Sequence, residues 1–298
     1  MELLVVGSIA YDSIETPAGK ADNVLGGSAT YFSLCASLFT SVRIIGIVGE
    51  DFRDEDKKLF ESRGINTDGL ETAAGKTFRW KGDYLKDLNE AMTHETHLNV
   101  FEHFHPKVPV SYRGITHIFL ANIDPVLQSE VLDQMHNPAF IACDTMNYWI
   151  NTRNRELKSL LKRVNLIVFN EAEVKALTGE RNIYKGAKTI LSWGPGYVII
   201  KRGEYGSVLI AENECYIIPA FPVENVVDPT GAGDSFAGGF MGDLARSGKV
   251  NRASLRKAMR YGSVMSSFTV EDFSLERLKN LDFGEIENRY KEFGNIIH

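Results

Sequence analysis

Asp228-Pro229-Thr230-Gly231-Ala232-Gly233-Asp234 is the stretch on which the reading turns. An apolar, strand-like run from Tyr216 to Val227 precedes it, and Ser235-Phe236-Ala237-Gly238-Gly239-Phe240-Met241 follows, small and apolar at helical spacing. The heptapeptide is therefore a loop entering a helix. A helix start presents unpaired backbone N–H groups and the positive end of the helix dipole, and Gly231 and Gly233 carry no side chains to keep an anion from them. Asp234 adds a carboxylate at the helix mouth. Beside a bound phosphate that charge is wasteful unless it faces a second substrate and takes the proton of its hydroxyl. An anion hole built from the Gly231, Ala232 and Gly233 amides, next to a base, points to phosphoryl transfer. A glycine-rich turn with a first-turn charge is the plainer alternative, and these residues alone leave it open.

The 298 residues suffice for one large α/β domain with a small appendage. A formal net charge of -6 gives no electrostatic footprint for nucleic acid or for an anionic membrane, so small molecules are the expected partners. Cys35, Cys143 and Cys215 are far apart and sit in apolar runs, which reads as buried thiols in a reducing cytoplasm. The first apolar run, Leu3 to Val6, stops at Gly7 and has no basic flank, so it is not read as a signal peptide, and no later run is long enough to span a membrane. The expectation is a cytoplasmic protein.

Outward from the loop, the chain supplies further polar groups where strands end. Glu2 to Ser8 reads as a strand buried on both faces, with Asp12 just past it, placed either to grip hydroxyls or to cap a turn. Gly26-Gly27-Ser28 opens a helix through Phe39; Val42 to Val48 reads as a strand and Asp51 to Arg63 as a charged helix. Between Ala73 and Pro109 the helical stripe disappears. Thr77 to Tyr84 and Thr96 to Phe104 read instead as strands of a small inserted sheet, in which Phe78, Trp80 and Tyr84 either face a substrate ring or pack. His94, His97, His103 and His105 in this insertion lack a metal-ligand spacing and read as exposed.

From Ile115 strands and helices alternate, which argues for βαβ units. Asn122, Asp144, Asn147 and Asn170 fall at strand ends, where each is a candidate cap and together they mark one carboxyl edge. Asn170-Glu171-Ala172-Glu173 fits a helix N-terminus with a capping Asn and a first-turn Glu. Lys201 and Gly203 close a buried strand, Gly206 follows in the turn, and Ala253 to Val270 reads as a helix carrying Ser263.

Taken together, the heptapeptide, the Gly26-Gly27 pair, Gly64-Ile65-Asn66-Thr67, the N-x-x-E element at 170–173 and the Lys201-Arg202-Gly203 turn resemble, in order, the ribokinase-like (PfkB) family of carbohydrate and nucleoside kinases. The resemblance implies one three-layer α/β/α domain over 1–298, with a mostly parallel central sheet and a small β-sheet lid from about 12–25 and 73–109. It implies transfer of the γ-phosphoryl of ATP, with Mg²⁺, to a hydroxyl of a small sugar, polyol or nucleoside. Asp234 would be the base and Asp12, Gly26, Gly27, Asn122, Asp144 and Asn147 the acceptor side. Asn170, Glu173, Lys201, Gly203, Gly206 and Ser263 would line the nucleotide side, Glu173 holding Mg²⁺ through water. Asp228 and Thr230 match positions that help hold K⁺ in several relatives, and relatives also dimerise through the lid. Two departures stand out: Tyr31 replaces an asparagine common in the family's sugar kinases, and Glu271-Asp272-Phe273 replaces a loop of small residues. A dinucleotide-binding enzyme is disfavoured, since Gly7 is the one glycine after the first strand. A catalytically silent sugar or nucleotide sensor on the same fold is the alternative.

Overall fold

In the computed structural model, which describes residues 1–297, alternate residues of single strands enter different cores. Leu3 and Val5 pack with the helices Ser28–Ser37, Ala232–Ser247 and Arg252–Thr269, whereas Leu4 and Val6 pack with Leu157, Leu160, Val174 and Ile190 on the opposite face. Leu166 and Val168 likewise divide from Ile167 and Phe169. A strand covered on both faces must be apolar throughout, which explains the unbroken hydrophobic runs.

The strands are β1 (Leu3–Val6), β2 (Ala10–Thr16), β3 (Gly19–Gly26), β4 (Val42–Gly49), β5 (Asn66–Ala73), β6 (Phe78–Asp83) and β7 (Met92–His97). They continue as β8 (His117–Leu120), β9 (Phe140–Asp144), β10 (Leu166–Asn170), β11 (Tyr197–Lys201), β12 (Ser207–Ile210) and β13 (Cys215–Ile218). Nine of them form one sheet in the order β13-β12-β11-β10-β9-β8-β1-β4-β5. The pairs from β11 to β5 are parallel, with Val5 opposite both Ile44 and Phe119, and β12 and β13 join antiparallel. The order reverses between β1 and β8, the place beyond whose carboxyl ends ligands collect in such sheets.

A second sheet has the order β3-β2-β6-β7; its β2–β6 pair is parallel and the other two pairs are antiparallel. Asp12 lies within β2, opposite Val24 and Trp80, and not in a turn after β1. The register shifts between Asp12 and Ile14, and such an irregularity re-aims side chains. Every residue of the edge strand β7 is exposed, as are His103 and His105 beyond it.

The structure corrects several sequence expectations. The run Tyr216 to Val227 is a strand only to Ile218, because Pro219 and Pro222 interrupt the supply of amide donors. The run Thr96 to Phe104 leaves strand at His97 and becomes a 3₁₀ turn, Asn99–His103, entered by Asn99 at φ 52°. Its rings stack on one another instead of alternating, Phe101 lying 5.7 Å from Phe104 and 5.5 Å from Phe78. Cys35 and Cys143 are buried, but Cys215 is exposed because β13 is the outer edge of the large sheet. No helix among the described residues is long and apolar enough to cross a membrane.

Candidate active site

Asp228 fixes the turn. Its Oδ1 accepts the Thr230 amide at 2.8 Å and its Oδ2 accepts the Ser274 amide at 2.9 Å, tying the loop to the segment after the helix Arg252–Thr269. Both oxygens of Asp228 thus accept amides of its own chain. Gly231 then adopts φ 73° as N-cap of the helix Ala232–Ser247, and a methyl group there would lie 2.3 Å from Cγ of Tyr31, so both conformation and space require glycine. The Ala232 amide donates to Pro229 O at 3.1 Å and is spent inside the turn, which narrows the expected anion hole. The Gly231 and Gly233 amides donate to no backbone carbonyl of another loop among the described residues.

Asp234 sits in the first turn of that helix. Burial pushes its carboxyl up to about 6, while Lys201 pulls the other way. Lys201 ends β11 and reaches the glycine turn, where a methyl group on Gly233 would lie 2.5 Å from Nζ. The same ammonium acts on Asp144 and Glu173. Asp144, at the end of β9, is held well above the usual carboxylate range by burial first, against Lys201, with Asp234 and Glu173 adding to the rise. Its Oδ1 is buried and has no hydrogen-bond partner. Asp144 therefore gathers with Lys201, Glu173 and Asp234.

Asn170 and Glu173 form a full capping box: Asn170 Oδ1 accepts the Glu173 amide at 2.8 Å, and Glu173 Oε2 accepts the Asn170 amide at 2.7 Å. Burial raises the Glu173 carboxyl, again against Lys201. No group of three or more His, Cys, Asp or Glu gathers as a metal cluster among the described residues, and the two carboxylates here, Asp144 with its unpartnered oxygen and Glu173, are a set suited to Mg²⁺, which keeps several waters and takes few carboxylates. The residues present fit that ion.

Asp12 is buried, and its carboxyl is pushed up to about 7 by burial and then by Asp228, with the Gly27 amide opposing and Asp234 adding a smaller push. Gly26 is required by this carboxylate, since a methyl group there would lie 1.9 Å from Asp12 Oδ2. Gly27, at φ 94°, leaves no space either, 2.6 Å from Ser8 O. Ser8 and Ser28 close the junction reciprocally, each hydroxyl accepting the other's amide at 3.2 and 3.1 Å. The carboxylate lying on Gly26 explains glycine there, and the positive φ with the Ser8 carbonyl explains it at Gly27.

Other expected residues make contacts of their own. Asn122 Oδ1 accepts the Trp149 Nε1 hydrogen at 3.1 Å, and Asn147 begins an exposed turn of helix. Ser263 donates to Pro219 O at 3.3 Å, tying its helix to the segment after β13. Gly206, at φ 85°, closes the β11–β12 turn against Ile218 O, while Gly203, at φ 55°, lies under Asn89 Oδ1 of the small sheet's long loop. Phe78 and Trp80 pack or bond within the small sheet, the latter to Thr93 at 3.1 Å. Tyr84 alone of the three aromatics feels the site's charges: burial first raises its hydroxyl, and the carboxylates of Asp228, Asp12 and Asp234 add to the rise. The part played by Tyr31 was not anticipated, since nothing in a helix's small-residue face says that its ring would floor the Gly231 turn.

The profile for pfkB family carbohydrate kinases matches residues 2–278. The chain belongs to that family. Among curated pfkB-type relatives, a cytidine kinase of Thermococcus kodakarensis is 27% identical over 253 residues, covering 83% of this chain and 89% of that one. A nucleoside kinase of Methanothermobacter thermautotrophicus is 25% identical, covering 91% and 90%. The solved nucleoside kinase of Methanocaldococcus jannaschii superposes with a TM-score of 0.78 at 19% identity, covering 98% of both chains. A Burkholderia thailandensis nucleoside kinase in complex with inosine gives 0.77, also at 19%, covering 98% and 99%. At these identities the structural likeness establishes the ribokinase-type fold.

Proposed function

We propose that this pfkB family kinase transfers the γ-phosphoryl of ATP to a hydroxyl of a nucleoside or of a ribose-like sugar, with Asp234 as general base. The observation that carries the reading is the meeting of Asp234, the Gly231–Gly233 turn and Lys201 at one helix mouth. The cytidine and nucleoside kinase relatives, aligned along most of the chain, support the nucleoside class.

Asp12 holds the acceptor so that the reacting hydroxyl faces Asp234. With its carboxyl near 6, Asp234 is ionised at neutral pH and still basic enough to matter. The acceptor oxygen forms a bond to the γ-phosphorus, the bond from that phosphorus to the bridging oxygen of ADP breaks, and the acceptor proton passes to Asp234. The Gly231 and Gly233 amides and the Lys201 ammonium offset charge on the transferred group. Asp144, and Glu173 with Asn170, would hold Mg²⁺ largely through water, and the ion supplies charge neutralisation between the phosphates. The small sheet acts as a lid that excludes water, with Tyr84 brought over the acceptor side. The reading includes no monovalent cation, because amides of the chain itself already order the turn through both Asp228 oxygens.

A panel of nucleosides, sugars and inositols with ATP and Mg²⁺, followed by ADP release and phosphorylated product, tests this. Acceptor-dependent ADP formation is expected with ribosides. Tight ligand binding without turnover of any hydroxyl compound would favour a sensor instead.

A further inference from the structure

The helix Pro125–Asp133 buries Pro125, Gln128, Val131 and Leu132, so Gln128 stands in an otherwise apolar stripe and has no exposed surface. An amide in such a place is costly unless it is hydrogen-bonded. Its Nε2 hydrogens are shared among three carbonyls, Leu120 O at 3.0 Å, Ala121 O at 3.0 Å and Asp144 O at 3.1 Å, while Oε1 has no partner. The first two acceptors lie at the end of β8 and the third at the end of β9. Pairing of these strands stops at Leu120 opposite Cys143, so Ala121 and Asp144 lie one step past the ladder. Gln128 supplies the cross-link where the ladder stops.

Asp144 needs such a fixture. Its Oδ1 is buried without a hydrogen-bond partner, so the direction of the carboxylate follows from the backbone that carries it. Strand register sets the target. Val168 of β10 lies opposite Asp144, and Asn170, which shares a capping box with Glu173, lies opposite Lys201 of β11. The ends of neighbouring strands thus bring Asp144, Glu173 and Lys201 to one edge. We propose that Gln128 is a positioning residue, which ties the end of β9 to the end of β8 and so aims the Asp144 carboxylate at the metal and phosphate side of the site. The inference rests on the kinase reading and adds to it a residue that lies beneath the site and acts only through Asp144. Groups that orient the ligands of a metal are worth about 10- to 100-fold in metal affinity.

Gln128→Met keeps the reach of the side chain and removes the donors. Gln134, at the end of the same helix, is the matched control: its Nε2 donates to Pro106 O at 2.8 Å and Glu130 O at 3.0 Å, its Oε1 accepts the Val108 amide at 2.9 Å, and none of these partners belongs to the site. Each variant loses its bonds to the backbone and should lower Tm. The metal probe is Mn²⁺, whose binding to the protein with saturating ADP is followed by electron paramagnetic resonance against an ADP-only blank, well below either Tm. Gln128→Met should raise the Kd for Mn²⁺ by about 10-fold or more and lower kcat/KM for Mg·ATP to match, with the acceptor KM within about two-fold. Gln134→Met should leave all three within about two-fold of wild type. Equal values for the two variants, or a lowered Tm with wild-type metal affinity, make Gln128 a packing residue and overturn the proposal. If Gln128→Met does not fold, Gln128→Asn, which draws the donors back by one methylene, is compared with Gln134→Asn under the same outcomes. Wild type that takes up no Mn²⁺ with ADP overturns the proposal as well. Wild type that takes up Mn²⁺ and transfers to no acceptor removes the kinase reading, and the Mn²⁺ comparison then decides the part played by Gln128 alone.

Discussion

Lys201 Nζ and Gly233 stand so close that a single methyl group at Gly233 would be 2.5 Å from the ammonium. The contact places a cation at the glycine turn and explains why the residue before Asp234 carries no side chain. Gly233→Ala should displace the Lys201 side chain while the helix start survives. The expected result is a kcat/KM for ATP reduced by about 10- to 100-fold, with Tm changed by no more than a few degrees. Steady-state kinetics at varied ATP together with thermal unfolding checks both halves.

Asp234→Asn keeps the side-chain volume and removes the base. ATP affinity should stay within a few-fold while kcat falls by roughly two to four decades, the range for a positioned base. In wild type, the carboxyl pushed up to about 6 is protonated on the acid side of that value and active above it. Log kcat/KM for the acceptor should therefore rise with pH and level off only above about pH 7, once Asp12, which holds the acceptor, is ionised as well. A profile flat through that region assigns the proton transfer elsewhere.

Asp12 carries a stability cost that changes with pH. Its carboxyl is pushed up to about 7 in the folded protein, well above its unfolded value, mainly by burial. The sign follows from linkage: the folded state binds the proton more tightly, so the contribution is most favourable below about pH 4 and is lost as pH rises through about pH 7. Asp12→Asn should therefore raise Tm relative to wild type at about pH 8 and much less at about pH 4.5, while weakening the acceptor far more than ATP. Thermal unfolding at both pH values, with calorimetric titration of each substrate, decides it. Equal weakening of both ligands would mark Asp12 as a structural cap.

Much of this was legible because it is local. The strands of the large sheet declared themselves through unbroken apolar runs, and Asn170 with Glu173 formed the capping box that their spacing predicts. Relationships between distant segments were not legible. The Asp144 carboxyl feels the charges of Lys201, Asp234 and Glu173 on three other elements, and periodicity says nothing about which strand-end groups converge. The Asp228–Ser274 bond spans the whole helix Arg252–Thr269, and the Tyr31 ring finds Gly231 only through the packing of two helices. Pro219 and Pro222 were visible signals against the long strand expected up to Val227, and the apolar pattern obscured them.

Asp228 and its loop give the last prediction. Its two carboxylate oxygens receive the Thr230 and Ser274 amides, so the catalytic turn is held by protein donors from both sides. An ion gathered by the same carboxylate would have to share those oxygens. Replacing K⁺ by tetramethylammonium at matched ionic strength should therefore leave kcat and both KM values within about two-fold. Asp228→Asn tests the same point from the protein side. An amide cannot accept at its nitrogen, so the Thr230 or the Ser274 amide loses its partner, and the loss should destabilise the protein by about 1–3 kcal/mol in denaturant unfolding. Strong K⁺ activation, with Asp228→Asn stable but unresponsive to the ion, would transfer the ordering of the turn from these amides to a cation.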